Sequence, residues 1–309
     1  MAVFDRASLP SGMRVFERGW LSSNNILFTD GEASLLVDSG YCTHSAQTLR
    51  LVERALDGRV LDRLVNTHLH SDHCGGNAAL QARYSRLETL IPPGQAALVD
   101  LWDPVALIYV PTGQLCPRFT YSAVIAPGTE IAFGSRIWQA HAASGHDPHS
   151  LLFFEPISHT LISADALWEN GFGIVFPELE GQDAFNDVAA TLDLIEKLQP
   201  KIVIPGHGSV FSYSAEVLDR ARARLDHFAR RPDKHARHAA KVLIKFKLLE
   251  RQQQPVEELI EWAAGTDYLV QIRDKFFKTE RIADWIEAML DELLTSGALA
   301  RQGNLILNA

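Results

Sequence analysis

Four short apolar runs in this 309-residue chain each end in a loop bearing histidine or aspartate, and that coincidence narrows the folds open to it. The densest loop, in VNTHLHSDHCGGN at residues 65–77, sets His68, His70, Asp72 and His73 within six positions. RIWQAHA leads to His146 in ASGHDPHS, HTLISAD closes on Asp165, and KIVIPGHG presents His207. Binding groups concentrate on loops held by a rigid scaffold. A fold that gathers these four strand ends at one edge brings seven nitrogen and oxygen ligands together.

Seven such ligands exceed the needs of one ion and suit two. A catalytic zinc takes three protein ligands and leaves a position for water, and two ions about 3.5–4 Å apart can share a carboxylate. The expected division is His68, His70 and His146 on one ion, Asp72, His73 and His207 on the other, with Asp165 between them. Alternate residues of an extended segment project to one side, so His68 and His70 can meet one metal while Asp72 and His73, past a turn of the chain, reach its neighbour.

The rest of the chain supplies strands and helices for such a scaffold. NILFTDGEASLLVDSG reads as a hairpin about Asp30-Gly31. Apolar residues at 46, 49, 52, 55 and 56 predict a helix, VLDRLVNT a strand, and NAALQARY a helix that Asn77 can cap. Between Arg86 and Phe133, six prolines favour long loops with short helical pieces. Strands return at RIWQAHA, SLLFFEP and HTLISAD, followed by a helix from Phe185 to Leu198 and the strand KIVIP.

Composition changes near residue 230. Residues 1–230 hold 17 Lys and Arg against 26 Asp and Glu, whereas 231–309 hold 12 of each. The expected domains are therefore 1–230, carrying the ligands, and 231–309, carrying KHARHAAKVLIKFKLLER, PVEELIEWAA, RIADWIEAMLDELLTSG and a hairpin turning at Gln302-Gly303. Pro255 is read at the first position of its helix. Three helices and a terminal hairpin resemble a winged-helix unit, expected to cover the site or form a homodimer contact. Neither part has the positive excess of a nucleic-acid binder, and the basic stretch Arg230–Arg251 reads as a solvated helix face. Three cysteines without a framework spacing favour a reducing compartment. The N-terminal segment lacks the pattern of a signal peptide, and no run approaches the length of a membrane span. The expectation is a cytoplasmic enzyme acting on a small molecule, without membrane or nucleic-acid partners.

THLHSDHCGGN, ASGHDPHS, LISAD and IPGHG, in that order, resemble the successive motifs of the metallo-β-lactamase superfamily across residues 15–215. The resemblance implies an α/β, four-layer αβ/βα sandwich with metals at one edge of two packed sheets. It also implies two divalent ions, zinc first with iron or manganese as alternatives, and a metal-bridging hydroxide attacking a carbonyl while Asp72 orients it or shuttles its proton. Many true β-lactamases have cysteine where this chain has Asp165, as glyoxalase II-like thioesterases, lactonases and phosphodiesterases do not. The expected substrate is thus a thioester, lactone or related acyl compound. Alternatives within the same fold are a persulfide dioxygenase-like enzyme with one iron and a phosphodiesterase. His149, Asp147 and Pro148 depart from the glyoxalase II motif GHTxGH.

Further residues carry two readings each. Asp38, at the end of LLVDSG, supports the site or a turn. His149 orients a ligand, contacts substrate, or does neither. Trp168, Phe172 and Phe176 line an apolar pocket or pack the core. Cys74 is read as a buried small side chain beside the site rather than as a nucleophile.

Overall fold

The computed structural model describes residues 9–309; the part of the N-terminal segment before Leu9 lies outside the described residues. Twelve strands form two six-stranded sheets. The first runs in chain order through β1 (Met13–Phe16), β2 (Asn25–Phe28), β3 (Leu35–Val37), β4 (Arg63–Val65), β5 (Glu88–Ile91) and β6 (Ala123–Val124). The second has the order β12-β11-β10-β9-β8-β7, comprising β7 (Glu130–Phe133), β8 (Arg136–Ala142), β9 (Leu151–Glu155), β10 (Thr160–Ala164), β11 (Ile202–Pro205) and β12 (Phe211–Ser212).

Alternation along the strands explains the layering. Ile26, Phe28, Leu35, Val37 and Val65 point from the first sheet into one core with Trp138, Ala140, Leu151, Phe153, Ile162 and Ile204 of the second. The intervening Leu27, Leu36 and Leu64 point the other way, against Val52 and Leu56 of α1 (Ser45–Leu56) and residues Leu80 and Tyr84. One sheet is thus apolar on both faces and needs cover on both. The outer residues Leu152, Phe154, Leu161 and Val203 of the second sheet are buried as well. The chain is an α/β four-layer sandwich.

Two further helices follow β4 directly: α2 (Ser71–Cys74), a single turn, and α3 (Asn77–Arg83). Helix α4 (Ala96–Leu101) lies in the proline-containing segment, and α5 (Phe176–Glu180), α6 (Ala184–Leu198) and α7 (Ala215–Arg230) complete the ligand-bearing part. Val188, Leu192 and Ile195 form the buried stripe of α6 at helical spacing.

Several local expectations need correction. Asn77 is the first residue inside α3 rather than its cap; its amide instead donates to Asn66 Oδ1 at 2.6 Å. The segment 86–133, read as loops, contains β5, β6 and β7, because strands of two to four residues are too short to show a period. Asp30-Gly31 does lie between the antiparallel pair β2 and β3, within a six-residue connection.

The described residues divide into two compact units: one runs up to Leu107 and resumes over Leu115–His227, the other combines Ile108–Gln114 with Phe228–Ala309. The second unit has four helices, α8 (Pro232–Arg251), α9 (Val256–Ala264), α10 (Asp267–Phe276) and α11 (Ile282–Thr295), where three were expected. Its three-stranded sheet has the order β13-β15-β14, from β13 (Gln253–Pro255), β14 (Leu299–Gln302) and β15 (Leu305–Asn308). Pro255 therefore closes a strand and precedes α9, and the hairpin turns at Gly303-Asn304 rather than Gln302-Gly303. Ala239, Leu243, Leu259, Leu269, Trp285 and Met289 are fully buried in this unit. The segment 108–114 belongs here through Pro111, whose carbonyl accepts from Tyr268 N at 3.0 Å. No helix among the described residues is long and apolar enough to cross a membrane.

Candidate metal centre

Parallel pairing puts strand ends side by side. β3 is parallel to β4, and β10 to β11, so Val37 adjoins Val65 in one sheet and Ala164 adjoins Pro205 in the other. Backbone bonds then join the two edges: Leu151 N donates to Thr67 O at 2.8 Å, and Asn24 N to Gly206 O at 2.7 Å. All four ligand-bearing loops meet there.

Within the opening loop, His70 keeps extended backbone and α2 begins at Ser71. His68 and His70 accordingly share a side, with Nε2 of the first 3.1 Å from Nδ1 of the second. The turn of α2 then carries Asp72 and His73 to the other side. Asp38 anchors the approach, accepting from Thr67 N and Thr67 Oγ1 at 2.8 Å each. Asn66 Nδ2 and Ser39 N both donate to His73 O, which fixes the end of the loop.

The structure brings all seven sequence-predicted donors together, in two groups: His68, His70 and His146; and Asp72, His73, Asp165 and His207. Asp165 also stands beside the first group, with Oδ2 at 3.4 Å from His146 Nε2; the same oxygen is 3.9 Å from His207 Nε2 in its own group. Its Oδ1 lies 3.4 Å from His73 Nε2, and Asp72 Oδ2 lies 3.0 Å from His207 Nε2. Two atoms bound about 2.1 Å from one ion at a tetrahedral angle are about 3.4 Å apart. Spacings near that value, too long for good hydrogen bonds in several cases, fit residues arranged around cations. Nε2 of His73 and Nε2 of His146 are buried without hydrogen-bond partners, which is costly unless something else occupies the space between them.

The remote ring nitrogens support the same fit. His73 Nδ1 donates to Asp38 Oδ2 at 2.7 Å, His68 Nδ1 to Thr67 Oγ1 at 3.1 Å, and His146 Nδ1 to the Ile174 carbonyl. Each bond selects the tautomer whose other nitrogen offers a lone pair to the cluster. Burial, aided by neighbouring histidines, holds His68 well below its ordinary pKa. Burial and His146 bring His70 down to about 4, so both rings are neutral near pH 7. His73 is the exception: burial opposes its charge, but Asp165, Asp38 and Asp72 outweigh burial and raise it well above the ordinary value. Burial likewise opposes ionisation of Asp165, and His73 and His207 more than compensate. A cation entering beside His73 must therefore displace a proton.

Trp168 donates from Nε1 to Asp165 Oδ1 at 3.2 Å and meets His207 edge-on at 5.5 Å. Trp20, 55% exposed, stacks on the His207 ring at 5.5 Å and packs against Trp168. Phe176 lies 5.5 Å from the His70 ring, whereas Phe172 is buried beneath the Arg224 guanidinium. His149 packs its ring against Gly94. Asp147 faces His70, with Oδ2 3.7 Å from Nε2. Cys74 is fully buried. Trp20 and Asp147 had no spacing to single them out; only their nearness to the first strand and to His146 could have done so. Gly206 is required by contact, because a Cβ there would fall 2.1 Å from Asp165 Oδ1.

Comparisons with known proteins agree with this geometry. The family model described as "Metallo-beta-lactamase superfamily" matches residues 18–207. A hydroxyacylglutathione hydrolase of Brucella anthropi is 24% identical over 176 residues, 56% of this chain and 56% of that protein; the chain thus spans about half the length of this curated relative. Among solved structures, the metallo-β-lactamase family protein TTHA1429 of Thermus thermophilus superposes with a TM-score of 0.58 at 16% identity, covering 96% of this chain and 99% of that one. TTHA1623, solved in a di-iron-bound form, gives a TM-score of 0.53 at 25% identity over 69% of this chain and 98% of its own. With the sandwich, the four converging loops and a family match running from Arg18 to His207, the chain belongs to the metallo-β-lactamase superfamily.

Proposed function

We propose that this protein is a dinuclear metal-dependent hydrolase of acyl compounds, with a thioester or lactone as substrate and zinc as its metal. The observation that carries the reading is the place of Asp165, one carboxylate within 4 Å of His146 on one side and of His73 and His207 on the other. His68, His70 and His146 would hold one ion, Asp72, His73 and His207 the other, with Asp165 shared. When bound, such a pair supplies Lewis-acid polarisation of a carbonyl and acidifies water.

The chain's own residues do the remaining work. Asp72, whose side chain is 14% exposed, is the more open of the two carboxylates and can accept and return a proton at Oδ2. Asp38 holds His73 in one orientation, and Trp168 does the same for Asp165. Trp20, Trp168 and Phe176 supply apolar walls that exclude water and fit the hydrocarbon part of an acyl substrate.

Support for acyl chemistry comes from aspartate, not cysteine, at position 165 and from the partial likeness to a hydroxyacylglutathione hydrolase. Iron stays in the comparison because an all-nitrogen and oxygen donor set accepts it. The test is hydrolysis by protein loaded with zinc, iron or manganese against thioesters, lactones, β-lactams and bis-p-nitrophenyl phosphate. Turnover of a thioester or lactone is expected; cleavage of phosphodiesters alone would replace acyl hydrolysis with phosphodiesterase activity.

A further inference from the structure

The ligand-bearing helix α2 ends in a thiol, and a second thiol lies against it. Cys74 Sγ is 3.8 Å from Cys116 Sγ, although the two residues are 42 positions apart in the sequence. Cys74 is fully buried, while Cys116 is partly open to solvent. The approach is set by neighbouring bonds: Leu115 N donates to Tyr41 Oη at 2.9 Å, and Cys42 Sγ donates to Leu115 O at 3.4 Å. On the other side, α2 is fixed by Ser39 N donating to His73 O at 2.7 Å and by Ser23 N donating to Asp72 O at 2.9 Å. The two sulfurs are thus held near each other from both sides, each side bonded to the segment 39–42 and α2 also to Ser23.

We propose that Cys74 and Cys116 form a peroxide-sensitive thiol pair, oxidised to a disulfide that ties α2 to the segment following Leu115. The accessible Cys116 reacts first. Its sulfur attacks one oxygen of hydrogen peroxide, the O–O bond breaks, and Cys116 becomes a sulfenic acid as one water leaves. The Cys74 sulfur then attacks Cys116 Sγ; the S–S bond forms, the S–O bond breaks and a second water departs. Two thiols lose two electrons and two protons to one peroxide. Forming the bond requires the sulfurs to close from 3.8 Å to about 2.05 Å. Burial of Cys74 makes the pair selective: bulky alkylating reagents reach Cys116, and only the sulfenic acid already in contact reaches Cys74. The third thiol, Cys42, is engaged with Leu115 O and takes no part.

The reduced full-length protein is treated with a small excess of hydrogen peroxide, and thiols are counted after denaturation, with peptide mapping by mass spectrometry. The count falls from three to one, the monomer loses the mass of two hydrogens, and a linked peptide joins Cys74 to Cys116; dithiothreitol restores three thiols. Cys116→Ser, at a partly exposed position, retains both of its remaining thiols under the same treatment, and Cys42→Ser loses both. Three surviving thiols, a covalent dimer, a link through Cys42, or Cys116 recovered as sulfinic acid would each overturn the proposal. None of these readouts depends on the metal or on hydrolysis.

Discussion

Asp72 and Asp38 sit next to the same histidine and do different things. Asp72 is directed into the cluster, so Asp72→Ala should leave the circular dichroism spectrum near wild type while hydrolysis falls about 10²–10⁴-fold; activity near wild type would show that its role is misassigned. Asp38 never touches the metal space. It holds a left-handed backbone, φ 56°, at the end of β3, and grips Thr67 and His73. Asp38→Asn keeps the shape but weakens the grip on His73, and metal affinity measured by chelator competition should fall about 10–100-fold. Gly206→Ala forces a methyl group against Asp165 Oδ1 and should lower metal content although every donor residue is kept. The donors themselves were legible because histidine and aspartate directly after apolar strands form a repeating context. Asp38 was legible only as a strand end with two meanings. Trp20 was not legible at all, since stacking on His207 joins residues 187 positions apart and leaves no local pattern.

At the level of elements, long periodic segments announced themselves and short ones did not. α1 and α6 present apolar stripes over 12 and 15 residues. β5 and β6 are four and two residues, and they exist because the edge of the first sheet offers them partners. α10 was missed because only Tyr268, Leu269 and Ile272 of its ten residues are buried, too short a stripe to stand out by period. α2 is one turn long, yet it divides the ligands between two groups. The hairpin of β9 and β10 shows how a buried charge can fix a turn. Glu155 accepts from Ile157 N at 2.9 Å and Ser158 N at 2.8 Å, and pairs with Arg136 at 3.1 Å. Burial opposes its ionisation, but the Ser158 and Ile157 bonds and Arg136 lower its pKa below the ordinary 4.5. A depressed carboxylate stabilises the fold above its unfolded pKa, and that contribution disappears as pH falls through the folded one. Glu155→Gln should therefore cost about 1–3 kcal/mol at pH 7, and the gap between mutant and wild-type melting temperatures should narrow below pH 4.5. A gap independent of pH would point to packing instead.

For the whole molecule, the sandwich and the site are one problem. Seven donors, five of them histidines, converge at an edge where Nε2 of His73 and of His146 is buried without a hydrogen-bond partner. Metal binding should accordingly be coupled to stability. At a free metal concentration 100 times the dissociation constant, binding adds about 2.7 kcal/mol, so chelation should lower the melting temperature by roughly 5–10 °C. The motifs pointed to this convergence and to Asp165 between the two groups; the folded chain adds the distances, 3.4 Å from its carboxylate to both His146 and His73. The decisive quantity is therefore the metal content per chain, determined on purified protein alongside acyl hydrolysis in the absence of oxygen. We expect about two ions per chain and oxygen-independent turnover, with Asp165→Ala losing affinity for both ions. One ion per chain with turnover only in the presence of oxygen would refute the shared-carboxylate hydrolase.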